Sequence, residues 1–314
     1  MTVERALTHA LPKPWGVADL HPWSNAHHDG NAIGEIWYER PAGAAADCSL
    51  LLKLLFTSEP LSIQVHPDDA FARSMGLPRG KSEAWYILSA AAEARIALGL
   101  KQRITREQLR AAVDDGSIAD LVAWRAVSPG DLISVPAGTI HAIGTGLVIA
   151  EIQQRSDATF RLFDHGRRRE LHIESGVAVA NPGPADVRSQ PHRPTGERTL
   201  LVSNPHFTFE KIDLPPDSAW RLHAEQETWL LVVNGSARAG PFDVATGDTV
   251  FMQSDRADIR AGADGMAGLV AYAGGDQAPH LLQPLKEAGA KDADRPREIR
   301  ATTAPTNGRR ESAK

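Results

Sequence analysis

The clearest apolar signal lies between Ser49 and Val65, SLLLKLLFTSEPLSIQV, where Ser58-Glu59-Pro60 splits two apolar runs. Short runs bounded by turn residues predict strand, turn, strand. Ala84 to Ala91 (AWYILSAA) and Ile133 to Val135 share the β-branched and aromatic bias and predict further buried strands. Between them, Thr105 followed three residues on by Gln108 has the form of a capping box, and Ser117 opens a second apolar-patterned turn toward Trp124. A small helical insertion near 104–124 is therefore expected in a first half that is otherwise strands. No regular strand-helix rhythm supports a parallel sheet, and the expected class is mainly β.

After Ile152 the pattern turns polar and arginine-rich in QQRSDATFRLFDHGRRRE, then reaches the proline-dense AVANPGPADVRSQPHRP. That stretch predicts a boundary between a domain at 1–180 and another at 181–285. Beyond it HFTFEKIDL, TWLLVVNGSARA and DTVFMQSD are short β-type runs at the spacing of a second barrel or sandwich. From Lys286 to Lys314 the chain is charged and poor in large apolar residues, which predicts a disordered tail.

Composition narrows the partners. The 314 residues can bury one large core or two moderate ones, and 42% hydrophobic with 23% charged residues is ordinary for a globular chain. A net charge of −5 offers no basic surplus for a nucleic-acid backbone. Cys48 is the one cysteine, so no internal disulfide is expected and a reducing compartment is the default. No apolar stretch approaches a bilayer span, and the start, MTVERALTHALPKPWG, lacks the apolar run of a leader. A cytoplasmic protein with a small-molecule partner, and neither nucleic acid nor membrane, is expected.

The candidate chemistry lies in separated segments. If Ile63-Gln64-Val65-His66-Pro67-Asp68-Asp69 is extended, Gln64 and His66 project from one face and Val65 from the other. Glu83 enters an otherwise apolar strand in Gly80-Lys81-Ser82-Glu83-Ala84-Trp85-Tyr86, where an unpaired carboxylate would be costly to bury. Gly130 to His141, GDLISVPAGTIH, reads as Gly, five residues, Pro, one residue, Gly, two residues, His. It resembles the second motif of the cupin superfamily, with glycines at tight turns and proline ending a strand so that His141 follows on the next. Alone, a strand histidine is more often a core or surface residue, and a buried glutamate more often a partner for lysine or arginine. Together Gln64, His66, Glu83 and His141 offer an amide oxygen, two imidazoles and one carboxylate. That set suits one Zn2+ per chain and leaves it net positive charge, and other divalent ions such as manganese, iron or cobalt would fit too.

The resemblance narrows further. The segments around Gln64 to Asp69, Gly80 to Tyr86, Pro136 to Ile143 and Gln153 to Arg161 resemble the ordered motifs of type I mannose-6-phosphate isomerases in their short bacterial form. Lys13-Pro14-Trp15-Gly16 and Ile33-Gly34-Glu35-Ile36-Trp37 are weaker matches. The resemblance implies two cupin-type β-barrels, the second degenerate, zinc on Gln64, His66, Glu83 and His141, and interconversion of mannose 6-phosphate and fructose 6-phosphate through a cis-enediol.

Such a reaction needs a base near the carbon acid and positive charge for the enediolate. Arg161 suits the charge because guanidinium stays protonated; its bland reading is a surface salt bridge to Asp157 or Asp164. Lys81, Asp157 and Glu151 are all candidates for proton transfer. Lys81 can serve as the base only with a depressed pKa, and the residues alone do not choose, whereas the family pattern favours Lys81, Asp157 and Arg161 with Glu151 in support. Lys53 interrupts an apolar strand and, by the resemblance, holds the phosphate. This chain departs at Gly80 from the pattern the resemblance implies, since many longer family members carry histidine just before the lysine of this motif. In its second half Gln253 replaces the motif proline and Asp258 falls at the histidine position, so no second metal site is expected. A non-catalytic sugar-sensing cupin and a cupin oxygenase are the rival readings.

Overall fold

Leu50–Thr57 and Ile63–Val65 are strands on either side of the Ser58-Glu59-Pro60 break, as the run pattern predicts. They belong to a computed structural model that describes residues 3–25, 30–41, 48–185 and 191–285; the segment expected to be a disordered tail, from 286, lies outside the described residues. The first half runs β1 (Val3–Arg5), β2 (Leu7–Val17), β3 (Ile33–Glu39), β4 (Leu50–Thr57), β5 (Ile63–Val65), α1 (Asp69–Ser74), β6 (Glu83–Ala90) and β7 (Arg95–Leu100). It continues with α2 (Arg106–Asp114), α3 (Ile118–Leu121), β8 (Val122–Ala126), β9 (Leu132–Val135), β10 (His141–Ile143), β11 (Leu147–Gln154), β12 (Phe160–Phe163) and α4 (Ile173–Val179). The second half adds β13 (Arg198–Ser203), β14 (Phe207–Leu214), β15 (Ala219–Ala224), β16 (Thr228–Ala239), β17 (Phe242–Ala245), β18 (Thr249–Met252), β19 (Asp255–Ala273) and β20 (Leu282–Pro284).

Two sheets make the first barrel. One has the order β2-β3-β4-β11-β6-β9, the other β12-β5-β10-β7-β8, and every ladder is antiparallel. Side chains alternate across β4: Lys53 and Leu55 face the barrel interior, while Leu50, Leu52, Leu54 and Phe56 face away. Those outward residues join Ile36 and Tyr38 of β3 and Phe207, Phe209, Trp229 and Phe251 of the second half in one continuous core. Burial on both faces explains why the strand reads as an almost unbroken apolar run.

The second half contributes its eight strands to a nine-stranded sheet with its own interior, built on Leu222, Leu230, Val250 and Ile259. It also takes in the chain's first strand, because β1 pairs with β18 from Val3↔Met252 to Arg5↔Val250. Tyr38 ties the halves again by donating its hydroxyl to the Gly247 carbonyl at 2.8 Å.

The helical insertion is present, and the capping box at Thr105 and Gln108 is formed in both directions. Leu109, Ala112 and Val113 of α2 cover the outer face of the five-stranded sheet, where Val65 and Ala142 point. The helical turn expected to run toward Trp124 is shorter than that: α3 ends at Leu121, and Trp124 lies in β8, opposite Ala97 of β7. A β-branched and aromatic run beside an open strand edge favours pairing over another helical turn. No helix among the described residues is long and apolar enough to cross a membrane.

Candidate active site

The barrel registers deliver the site. On the five-stranded side, Arg161, Gln64, His141 and Leu98 lie on one rung, because Gln64 pairs with both Arg161 and His141. On the six-stranded side, Trp37, Lys53, Glu151 and Trp85 form another rung. Two residues further along β6 and β11, on the same face, is the Glu83↔Gln153 pair. Gly138, at φ 83°, makes the turn that leads into His141. Gly80 packs so closely on the chain that an added Cβ would fall 2.4 Å from the Asp68 carbonyl carbon, so no side chain fits there.

His66, Glu83 and His141 are brought together, fully buried, with one ligand atom from each inside a 4.8 Å span. Glu83 Oε1 lies 3.0 Å from His66 Nε2, and Oε2 lies 4.0 Å from His141 Nε2. Each imidazole has Nδ1 2.8 Å from a carbonyl, that of Ala158 for His66 and that of Thr139 for His141. A carbonyl only accepts, so Nδ1 carries the proton and the Nε2 lone pair is directed at the carboxylate cluster. Burial, followed by the Lys81 charge, pushes His66 down to about 3, and burial also lowers His141. Both rings are therefore in the neutral, ligating form. Gln64 Nε2 lies 3.3 Å from His141 Nε2 while its Oε1 accepts from the Ser62 hydroxyl at 3.0 Å. As a ligand it would offer its amide oxygen, which a half-turn of the amide exchanges with the nitrogen. These donors fit a divalent ion: two neutral imidazole nitrogens, one anionic carboxylate and one amide.

Burial disfavours the charged form of Glu83, yet Lys81 and His66 hold its carboxyl well below the usual range. Lys81 Nζ is 2.6 Å from Glu83 Oε1 and 3.3 Å from His66 Nε2. Burial works against the Lys81 charge, but Glu83 and Glu151 together raise its pKa above the ordinary value, opposite to the depression a basic role would need. Glu151 behaves differently. Burial first, then repulsion from Glu83, lifts its carboxyl to about 6. The Trp85 indole N–H bridges the two carboxylates, donating to Glu83 Oε2 at 3.0 Å and Glu151 Oε2 at 3.1 Å. Lys53 Nζ is 3.4 Å from Glu151 Oε1 and 4.8 Å from the Trp37 ring centre.

A cavity of about 310 Å³ opens beside the cluster. Gln64, Lys53, Lys81, Glu151, Asp157 and Arg161 all line it, Asp157 being exposed. Arg161 donates to the Glu170 carbonyl at 2.7 Å, and its buried Nε has no partner. Asp164, one of the carboxylates that could have claimed it, is engaged by Arg167 and Arg169 at 3.1 and 2.7 Å instead. Lys13, Trp15, Glu35, Trp37 and Arg169 also line the cavity, and sequence reasoning assigned none of them a role. A signal for some was present. Glu-x-Trp occurs at Glu35/Trp37 and Glu83/Trp85, and in each the indole donates to the carboxylate two residues earlier, at 2.6 and 3.0 Å. The cavity thus carries five cationic side chains against three carboxylates, a balance suited to an anionic ligand.

Barrel and cluster define a cupin-type protein with a candidate metal centre. No family model matches the chain. It is 41% identical over 174 residues to a mannose-6-phosphate isomerase of Streptococcus mutans, a match spanning 52% of this chain and 54%, about half, of that protein. It is 34% identical over 230 residues to the mannose-6-phosphate isomerase ManA of Bacillus subtilis, spanning 68% of this chain and 72% of that one. The chain belongs to the mannose-6-phosphate isomerase family. Among solved structures, a Bacillus subtilis mannose 6-phosphate isomerase superposes with TM-score 0.76 at 23% identity, over 87% of this chain and 100% of the other. A zinc-bound mannose 6-phosphate isomerase gives TM-score 0.68 at 15% identity, over 87% and 100%.

Proposed function

We propose that this chain interconverts mannose 6-phosphate and fructose 6-phosphate in the cavity beside His66, Glu83 and His141. The observation that carries the reading is two neutral imidazoles and a carboxylate converging at the edge of a cation-rich cavity. Relatives bearing the isomerase name support it.

Gln64, His66, Glu83 and His141 would hold one divalent ion, zinc as in the zinc-bound structural neighbour. When bound, the ion supplies Lewis-acid polarisation of the sugar's C1 and C2 oxygens. Glu151 is the proton carrier: a carboxyl at about 6 takes a proton from C2 and returns it at C1 near neutral pH. Lys81 acts as an ammonium, donating to the oxygen that gains charge in the cis-enediol, rather than as the base. Arg161, whose buried Nε is without a partner, stabilises the same charge. Asp157, exposed at the cavity, accepts from sugar hydroxyls. Lys53, together with Lys13 and Arg169, neutralises the phosphate. The domain reading also stands as a proposal: a catalytic cupin over 1–180 and a degenerate one over 181–285. A cytoplasmic setting suits Cys48, a buried thiol in no disulfide.

A coupled assay tests the function. Purified protein should form fructose 6-phosphate from mannose 6-phosphate, stop after chelation and resume on adding zinc. Sugar binding without product would replace the isomerase by a sensor, and oxygen uptake by an oxygenase.

A further inference from the structure

The sheet of the second half repeats the order of the first. The run β9-β6-β11-β4-β3 has the same neighbours as β18-β16-β19-β14-β13. Each begins from a left-handed glycine followed by aspartate, Gly130 at φ 92° and Gly247 at φ 91°. Register then equates positions. Glu83 pairs with Val135, the fifth residue after Gly130, and with Gln153. Thr228 pairs with Met252, the fifth residue after Gly247, and with Tyr272. Thr228 therefore occupies in the second sheet the position that Glu83 occupies in the first.

At that position the second half has its own cavity, about 270 Å³ against about 310 Å³ in the first. Thr228 and Tyr272 line it, with His223, Glu225, Asp276 and Gln277. Its chemistry is unlike the first. The one cluster suited to a metal ion among the described residues is His66, Glu83 and His141, and Asp258, where a histidine was expected to be missing, pairs with Arg221 at 2.6 Å on the surface. Among the described residues no lysine or arginine lines the second cavity, and two carboxylates do, so anions are disfavoured. His223 Nε2 and Gln277 Nε2 are buried atoms without hydrogen-bond partners. The Tyr272 hydroxyl is already committed, donating to Glu210 at 2.7 Å and accepting from the Ala278 N–H at 3.1 Å. Thr228 donates to the Gln226 carbonyl at 2.9 Å and keeps its oxygen free to accept. An unmet amide donor and an unmet imidazole nitrogen, able to donate or accept by tautomer, lie beside carboxylate and hydroxyl acceptors with no lysine or arginine among the described lining, a set matched by groups that donate and accept at once. Hydroxyl groups do both.

We propose that this cavity binds a neutral, hydroxyl-rich small molecule of hexose size, a sugar without phosphate, independently of the cation-rich cavity of the first barrel. The test uses the full chain and D-mannose as the probe, with calorimetry for affinity and amide hydrogen exchange for location. Mannose should bind saturably, protect amides at 223–228 and 272–281, and remain bound when mannose 6-phosphate saturates the first cavity. His223→Ala and Gln277→Ala, both at partly exposed residues, should each weaken mannose by about tenfold while leaving mannose 6-phosphate turnover unchanged. Displacement of mannose by mannose 6-phosphate, protection confined to the first barrel, or no saturable binding would each overturn the proposal.

Discussion

His66 and His141 owe their usefulness to the carbonyls behind them, since a ring whose Nδ1 is committed to Ala158 or Thr139 has one nitrogen left to offer. Replacing His141 by Ala should leave purified protein with far less than one zinc per chain by atomic absorption. Turnover should fall by at least about 100-fold, the upper range for losing even a group that merely supports a ligand. Retained zinc and activity would remove His141 from the site. Glu151 sets a pH dependence of definite sign. Its carboxyl rises from 4.5 to about 6 on folding, so it binds its proton more tightly in the native state. Its contribution to stability is present below 4.5 and is lost as pH rises through about 6. Turnover runs the other way, because only the carboxylate accepts a proton. The profile of kcat/KM should therefore fall on the acid side with a midpoint near 6, and a profile with no such limb would dismiss Glu151 as the base.

At the scale of elements, β4 carries the greatest demand, with Lys53 on its cavity face and fully buried leucines behind. Leu54→Ala should cost about 2–5 kcal/mol in urea denaturation, whereas Thr105→Ala, which removes the cap at the exposed N-terminus of α2, should cost only about 1 kcal/mol. Similar costs for the two would mean that the seam behind β4 is not the main core. These same elements show what a sequence discloses. The run at 50–57, the break at Ser58 to Pro60 and the capping box were legible because each is written in neighbouring residues. The helices α1 and α4 were not, since six and seven residues give too few turns for a 3.6-residue period to register. Nor did the sequence place Lys13, Trp15 or Arg169 beside Lys53 and Glu151, because that depends on strand registers between distant segments. The four candidate ligands could be singled out only because each motif is unusual in itself. Where the surrounding lysines and arginines would point had to await the fold.

Across the whole molecule, the two halves share a core rather than merely touching. Glu227 of the second half accepts hydrogen bonds from the Ser49 N–H and hydroxyl and from the Leu50 N–H, at 2.6, 2.6 and 3.1 Å, which fixes the start of β4. Trp229 completes a third Glu-x-Trp pair at 3.0 Å, here serving the seam and not the cavity. The halves should consequently unfold together: circular dichroism and tryptophan fluorescence, followed against urea, should give coincident single transitions. Two separated transitions would show the shared core to be energetically weak. The strand at Val3–Arg5 has its partners at Val250–Met252, so it leaves the ribosome long before they exist. At bacterial and eukaryotic elongation rates that delay is on the order of tens of seconds. A strand made early is thus among the last to find its place, and a nascent chain halted before Val250 would present Val3–Arg5 unpaired.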